Sequence, residues 1–186
     1  MNKRYYMACL DLERRRCVVV GGGAVGLEKA QGLLDCGAQV TVVSPELHEE
    51  LHGLPIIWRP RPYREGDLDG VFLVVAATPH ERVNRRVHAD AQARNLLCNV
   101  ADVPELCSFI LPAVYRQDPI TIAVSTGGAS PALAQRIRAE IAQRIGPEHA
   151  ELAQRLQSLR PWAKRHFATY AERRDFFQRL VERSLA

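Results

Sequence analysis

Residues 16–47 read RCVVVGGGAVGLEKAQGLLDCGAQVTVVSPEL, and this stretch decides the fold. Cys17 to Val20 is a short apolar run of the kind buried in a parallel sheet. Gly21 to Gly26 is a turn. Val25 to Asp35 follows with helical spacing, its apolar positions at Val25, Ala30, Leu33 and Leu34. Gly37 suits the left-handed position beyond a helix. Val40 to Val43 is a second strand, stopped by Ser44 and Pro45. Strand, helix and strand within about 30 residues make a βαβ unit, which implies parallel strands.

The alternation continues outward. Ile56–Arg59 is a third predicted strand, and the apolar run Gly70–Thr78 reads as the central one. A helix over 81–95 carries Val83, Val87 and Ala91 on one stripe. LLCNVAD then reads as a strand ending at Asp102. This is a Rossmann-type doubly wound α/β domain. The predicted division is a dinucleotide-binding domain over 1–113, a small α+β region over 114–147 and a helical tail over 148–186. In the middle region, Ile120–Thr126 is one strand. Ser130 caps a following helix and Pro131 takes its first position. One strand and one helix cannot bury themselves, so pairing with a second copy is expected.

Composition bounds the rest. Hydrophobic residues make up 47%, enough for a real core. Net charge is +4 and pI about 8.9, too slight a bias to argue for nucleic acid. No segment approaches the ~20 apolar residues of a membrane span, and the charged start lacks a signal-type apolar run. The chain reads as soluble and cytoplasmic, with no membrane partner. Its five cysteines include no C-x-x-C pair and read as reduced core thiols.

Within the turn, Gly21, Gly23 and Gly26 match G-x-G-x-x-G between a strand and a helix, the context that gives the motif meaning. Gly21 permits the tight turn, Gly23 lets backbone approach a pyrophosphate, and Gly26 lets helix and strand pack. Gly21, Gly23, Ala24, Val25 and Gly26 are therefore the expected phosphate cradle, with Thr78 closing the central strand beside it. An acidic residue is expected at the end of the second strand to hold the ribose. Here stand Ser44 and Pro45, with Glu46 next, and Ser44 or Glu46 is the candidate. No arginine sits at that strand end to grip a 2′-phosphate, which favours NAD. Just beyond, residues 48–52 spell HEELH, the zinc-protease pattern. Gly53 and Pro55 limit any helix there to about two turns, and no motif places a third ligand. It reads as an exposed short helix, and no metal site is expected.

Asp102 lies just past a predicted strand, where ligands bind in open α/β sheets. On spacing alone it is a general base, a metal contact or a cap. Four blocks in order, VVVGGGAVGLEKA, NVADVPELCSFILPA, IAVSTGGASPALAQRIRAEI and FATYAERRDFF, resemble the precorrin-2 dehydrogenase/sirohydrochlorin ferrochelatase family. The resemblance runs through nearly the whole chain. It implies NAD-dependent oxidation of precorrin-2 to sirohydrochlorin in siroheme biosynthesis. Fe²⁺ insertion is implied for many members, with Fe²⁺ as substrate, and so is a homodimer. The position of the family's acid/base aspartate is Asp102. Ser130, with Ser125, Thr126 and Gly127, matches the block at the tetrapyrrole site. The substrate's carboxylates call for basic side chains, of which Arg116 is one candidate, with Arg136, Lys164 and Arg165 also plausible.

The chain departs from the family in reading GLEKA after the turn, where Arg often precedes Lys. It also stops at Ala186, without the methyltransferase domain of the fused enzymes. Two alternatives stay open: a dehydrogenase served by a separate chelatase, and a non-catalytic NAD-sensing module. The second gives no account of STGGASP or of the basic tail.

Overall fold

The computed structural model describes residues 4–185, and the ends of the outer predicted domains lie outside it. The chain divides at Leu111/Pro112 into two compact units.

The N-terminal unit is built on a five-stranded parallel sheet in the order β3-β2-β1-β4-β5. The strands are β1 (Arg16–Val20), β2 (Gln39–Val43), β3 (Ile57–Arg59), β4 (Leu73–Ala76) and β5 (Leu97–Val100). Helix α1 (Ala24–Leu34) joins β1 to β2, and α2 (Glu81–Ala93) joins β4 to β5. The two helices cover opposite faces. Leu27, Ala30 and Leu33 of α1 pack with Cys17, Val19, Val40, Val42 and Val75. Val87 and Ala91 of α2 pack with Val18, Val20, Val74 and Cys98. Alternate residues of one strand thus feed two cores, which is why β1 and β4 are apolar without interruption. Chain direction across the sheet reverses between β1 and β4, and the connections at that point open a crevice at the carboxyl edge.

Three expectations need correction. The strand expected at 70–78 and read as central is β4, which stands fourth in the sheet with β1 at the centre, and it is shorter, because Gly70 adopts a left-handed φ of 67° and the chain enters the sheet only at Leu73. The strand before Asp102 ends at Val100. Residues 49–53 form a 3-10 turn, not an α-helix. His48 stands outside it as the cap, with its ring accepting from the Glu50 N–H, and His52 packs edge-on against Trp58 at 5.6 Å. The two imidazoles of HEELH therefore do not share one helical face.

The C-terminal unit opens with an antiparallel hairpin, β6 (Ala113–Gln117) and β7 (Ile120–Val124). The sequence reading missed β6, so the solitary strand expected there has a partner. Helix α3 (Pro131–Ala142) packs on this hairpin, and α4 (Pro147–His166) and α5 (Tyr170–Ser184) pair with each other. The buried apolar residues here, among the described residues, are Ala134, Ala150 and Ala163. Of the five cysteines, Cys17, Cys98 and Cys107 are buried, Cys36 is half-buried, and Cys9 is exposed, against the expectation of core thiols throughout. Burial raises the Cys17 thiol to about 11 and the Cys98 thiol to about 12, so both stay protonated and inert. No helix among the described residues is long and apolar enough to cross a membrane.

Candidate active site

The glycine turn is shaped by close backbone approaches. Gly21 has φ 118°, and a Cβ there would strike the carbonyl of Ala77. A Cβ at Gly22 would strike the carbonyl of Glu46, and one at Gly26 the carbonyl of Gly21. These three glycines let the turn fold tightly against the loops that follow β2 and β4. Gly23 differs: its φ is −82° and a Cβ there would meet nothing within 4 Å. Its smallness therefore serves no contact within the protein. Gly23, Ala24 and Val25 are exposed, Val25 at 41%. Gly23 is the N-cap of α1, and no side chain caps the free N–H groups there. An open, uncapped helix start bordered by exposed small residues fits a pyrophosphate.

Two loops border this turn. Thr78 follows β4, and its hydroxyl donates to Asn84 Oδ1 at 2.7 Å while Asn84 Nδ2 donates to the Thr78 carbonyl at 2.9 Å. Asn84 is buried at 7% exposure and holds the Thr78 loop from helix α2. Sequence reading passed over it, because an asparagine inside a helical stripe looks like a surface position. After β2, the half-buried Ser44 has its carbonyl bonded by Trp58 Nε1 at 2.9 Å, and Pro45 and Glu46 are exposed. The N–H of His48 donates to the Gly22 carbonyl at 2.6 Å, which docks HEELH onto the turn.

An arginine does lie near this edge. Arg59 ends β3 opposite Val43, and its carbonyl accepts from the Ser44 N–H at 3.3 Å. Its guanidinium is committed elsewhere. Arg59 and Arg61 reach the same Asp67 oxygen at 2.5 and 2.6 Å, and Asp67 is 3% exposed. Burial alone would raise the Asp67 carboxyl. Hydrogen bonds from Arg61, the Arg64 backbone and Arg59 outweigh it and hold the pKa at about 2.

At the other side of the sheet, Asp102 is exposed in the turn after β5, with φ 60°. A left-handed aspartate is uncommon, and such residues collect at functional sites. The turn is held from within. The Ala101 N–H donates to the Ala76 carbonyl at 2.9 Å. The buried Cys107 thiol lies 3.2 Å from the Val100 nitrogen, and 3.3 Å from the carbonyls of Val100 and Val103. Ser108 Oγ accepts from the Cys98 N–H at 2.8 Å. Glycine turn, Ser44, Thr78 and Asp102 thus all stand at the carboxyl edge of one sheet.

The remaining expected residues lie in the C-terminal unit. Ser130 Oγ accepts from the Leu133 N–H at 3.2 Å as the helix cap, as its spacing suggests. Thr126 Oγ1 donates to the Ser130 carbonyl and accepts from its N–H, both at 3.0 Å. Ser125 Oγ accepts from the Gly127 N–H at 3.1 Å, and Gly127 and Gly128 have left-handed φ of 65° and 89°. Arg116 is exposed on β6, and Arg136 is paired with Glu140 at 2.7 Å.

Comparison with known proteins agrees with this geometry. Residues 8–113 match a family model described as putative NAD(P)-binding, and residues 117–144 match one described as the central part of a sirohaem biosynthesis protein. The siroheme synthase of Methylobacillus flagellatus is 42% identical over 173 residues, which is 91% of this chain and 37% of that protein. The siroheme synthase of Chromobacterium violaceum is 40% identical over 186 residues, 98% of this chain and 40% of that protein. The chain therefore spans about two fifths of these relatives' length. A solved structure titled SirC, precorrin-2 dehydrogenase, superposes with a TM-score of 0.82 at 26% identity, covering 98% of this chain and 93% of that one. The Rossmann-type sheet, the open glycine turn and the match over 8–113 agree on NAD as the cofactor. The chain belongs to the family of putative NAD(P)-binding proteins whose model spans residues 8–113.

Proposed function

We propose that this chain is an NAD-dependent precorrin-2 dehydrogenase. The observation that carries the reading is the likeness to the precorrin-2 dehydrogenase SirC over 98% of this chain and 93% of that one. Oxidation of precorrin-2 to sirohydrochlorin removes one hydride and one proton. The bound nicotinamide supplies the hydride acceptor. The chain's own residues do the rest. Gly23, Ala24, Val25 and the α1 N-terminus receive the pyrophosphate. Ser44 or Glu46, at the end of β2, receives the ribose. Thr78 and Asp102, beyond β4 and β5, border the opposite end of a dinucleotide laid across the sheet edge. Asp102 takes the proton. Ser125, Thr126, Gly127, Ser130 and Arg116 receive the tetrapyrrole.

A second activity is favoured by the relatives' name, since siroheme is the iron-bearing product. Fe²⁺ is then a second substrate. The macrocycle supplies its nitrogen ligands, and Asp102 helps remove the two pyrrole protons. The working unit we propose is a homodimer.

The test is an anaerobic spectrum of the protein with enzymatically made precorrin-2 and NAD⁺, before and after Fe²⁺. NADH appearing with the sirohydrochlorin spectrum is the expected result, and an enzyme-dependent shift to siroheme would add the chelatase. Bound NAD⁺ without NADH would leave a sensing module instead.

A further inference from the structure

The C-terminal helices carry a groove that the mechanism above does not use. It has a volume of about 650 Å³, the size of a small-molecule site. Arg160 and Lys164 of α4 line it from one side. Tyr170, Arg173, Arg174 and Phe177 line it from α5, with Glu182 the one acid among the lining residues. The groove thus sets four cations and one carboxylate around two aromatic rings.

Two of the four cations, Arg160 and Lys164, are not used up locally. Arg160 and Lys164 stand one helical turn apart, and neither has an acidic partner among the described residues. Arg173 is held at the lip, with Nη1 donating to the Phe167 carbonyl at 2.9 Å. Arg174 is paired with Asp175 at 2.8 Å. Tyr170 is 74% exposed, a large aromatic surface left in water beside free positive charge. An amphipathic anion meets both demands: an apolar face for the rings and carboxylates for the cations.

We propose that this groove between α4 and α5 binds a planar, aromatic-faced polycarboxylate of tetrapyrrole size, seated on Tyr170 and Phe177 and ringed by Arg160, Lys164 and Arg173. The inference rests on the dehydrogenase reading, because that reaction consumes and yields polycarboxylate macrocycles. The groove would then be a holding site, distinct from the residues assigned to the chemistry.

Trp162 provides the readout. Its ring lies 5.6 Å from Phe176, which lies 5.3 Å from Phe177. The chain has two tryptophans, so Trp58→Phe leaves Trp162 as the one tryptophan whose emission is followed. The experiment titrates that full-length protein with uroporphyrin, a planar octacarboxylate, and follows quenching. Saturable quenching that weakens with salt is expected. Adding Arg160→Glu and Lys164→Glu should weaken it about tenfold or more, with the thermal midpoint unchanged. Citrate, which has charge and no ring, should compete poorly. Unchanged affinity in the double variant, or quenching that never saturates, overturns the site. A change in oligomeric mass in that variant would show that a second copy covers the groove, which also overturns it. NADH formation from precorrin-2 is measured separately, so a failed groove and a failed dehydrogenase are told apart.

Discussion

Asp102 holds a backbone conformation that most residues avoid, with φ 60°, and it is exposed. Neither fact serves stability. Glycine at this position should relieve the strain and raise stability by up to about 1 kcal/mol. The same change removes the proposed proton acceptor and should cost about 100-fold or more in turnover. Asparagine, which tolerates this conformation, should cost the activity without the gain in stability. Urea unfolding and NADH formation measured on both variants decide it. Full activity in Asp102→Asn would remove the assignment. Cys107 is the complementary case, a residue whose role is to hold the turn. Its thiol meets the Val100 N–H and two carbonyls; the carbonyls also accept from the Val103 and Leu106 N–H groups, so Cys107→Ala leaves the buried Val100 N–H without its partner and should cost about 1–3 kcal/mol. Cys107→Ser should recover part of that. Equal stability of all three proteins would show that the thiol does not hold the turn. Asp102 was legible as a candidate from its place after a strand. The thiol was not, because a cysteine in an apolar run looks like any small core residue.

The turn between β1 and α1 separates two uses of glycine, and a pair of variants tests the separation. Gly26→Ala would drive a methyl into the Gly21 carbonyl, so the strand–helix junction must shift and stability should fall by about 2 kcal/mol or more. Gly23→Ala meets nothing within 4 Å at an ordinary negative φ, so the fold should be unaffected. Its methyl instead occupies the ground reserved for the pyrophosphate, and NAD⁺ affinity should fall by about tenfold or more. Calorimetry of NAD⁺ binding beside thermal unfolding reads both. A Gly23→Ala protein that binds NAD⁺ normally would move the cofactor elsewhere. This turn was readable because the motif, strand and helix are contiguous. The knot of Arg59, Arg61 and Asp67 was not, because its members lie on β3, in the bend after it and on a 3-10 turn, with no shared period. Its consequence appears in acid. The folded Asp67 carboxyl titrates near 2 against an ordinary 3.8. A depressed carboxyl stabilises the fold above the ordinary value, and that stability drains away as pH falls through the folded one. The window is therefore about pH 4 to 2, and the contribution about 2 kcal/mol. Asp67→Asn should be clearly less stable than the parent at pH 6, with the gap closing toward pH 2. A gap independent of pH in urea titrations would show that the charge of Asp67 is not what the knot supplies.

At the scale of the whole molecule, the two units are unequally provided with core. Between β1 and β5 the interior is closed by fully buried valines and leucines. In the C-terminal unit the buried apolar residues, among those described, are three alanines, Ala134, Ala150 and Ala163. Its larger apolar side chains are only partly covered: along β7, Ile120, Ile122 and Val124 are half-buried, and Leu133 at the start of α3 is 51% exposed. The expectation of a second copy began from a strand thought to be solitary, and β6 supplies that strand's partner. The reason for expecting association survives in another form. Two strands and one helix still make a small layer without a large buried side chain of their own, and such layers gain stability by covering their apolar face. A closed two-fold pairing of the hairpin and α3 with the same elements of a second chain does this with one contact surface. We expect light scattering at micromolar concentration to give twice the chain mass. Leu133→Asp should shift the mass toward one chain and lower the thermal midpoint at the same time, since the same face would serve both assembly and stability. A parent protein of single-chain mass, or a Leu133→Asp variant that keeps the double mass and the parent midpoint, would show that this unit closes its core without a partner on that face.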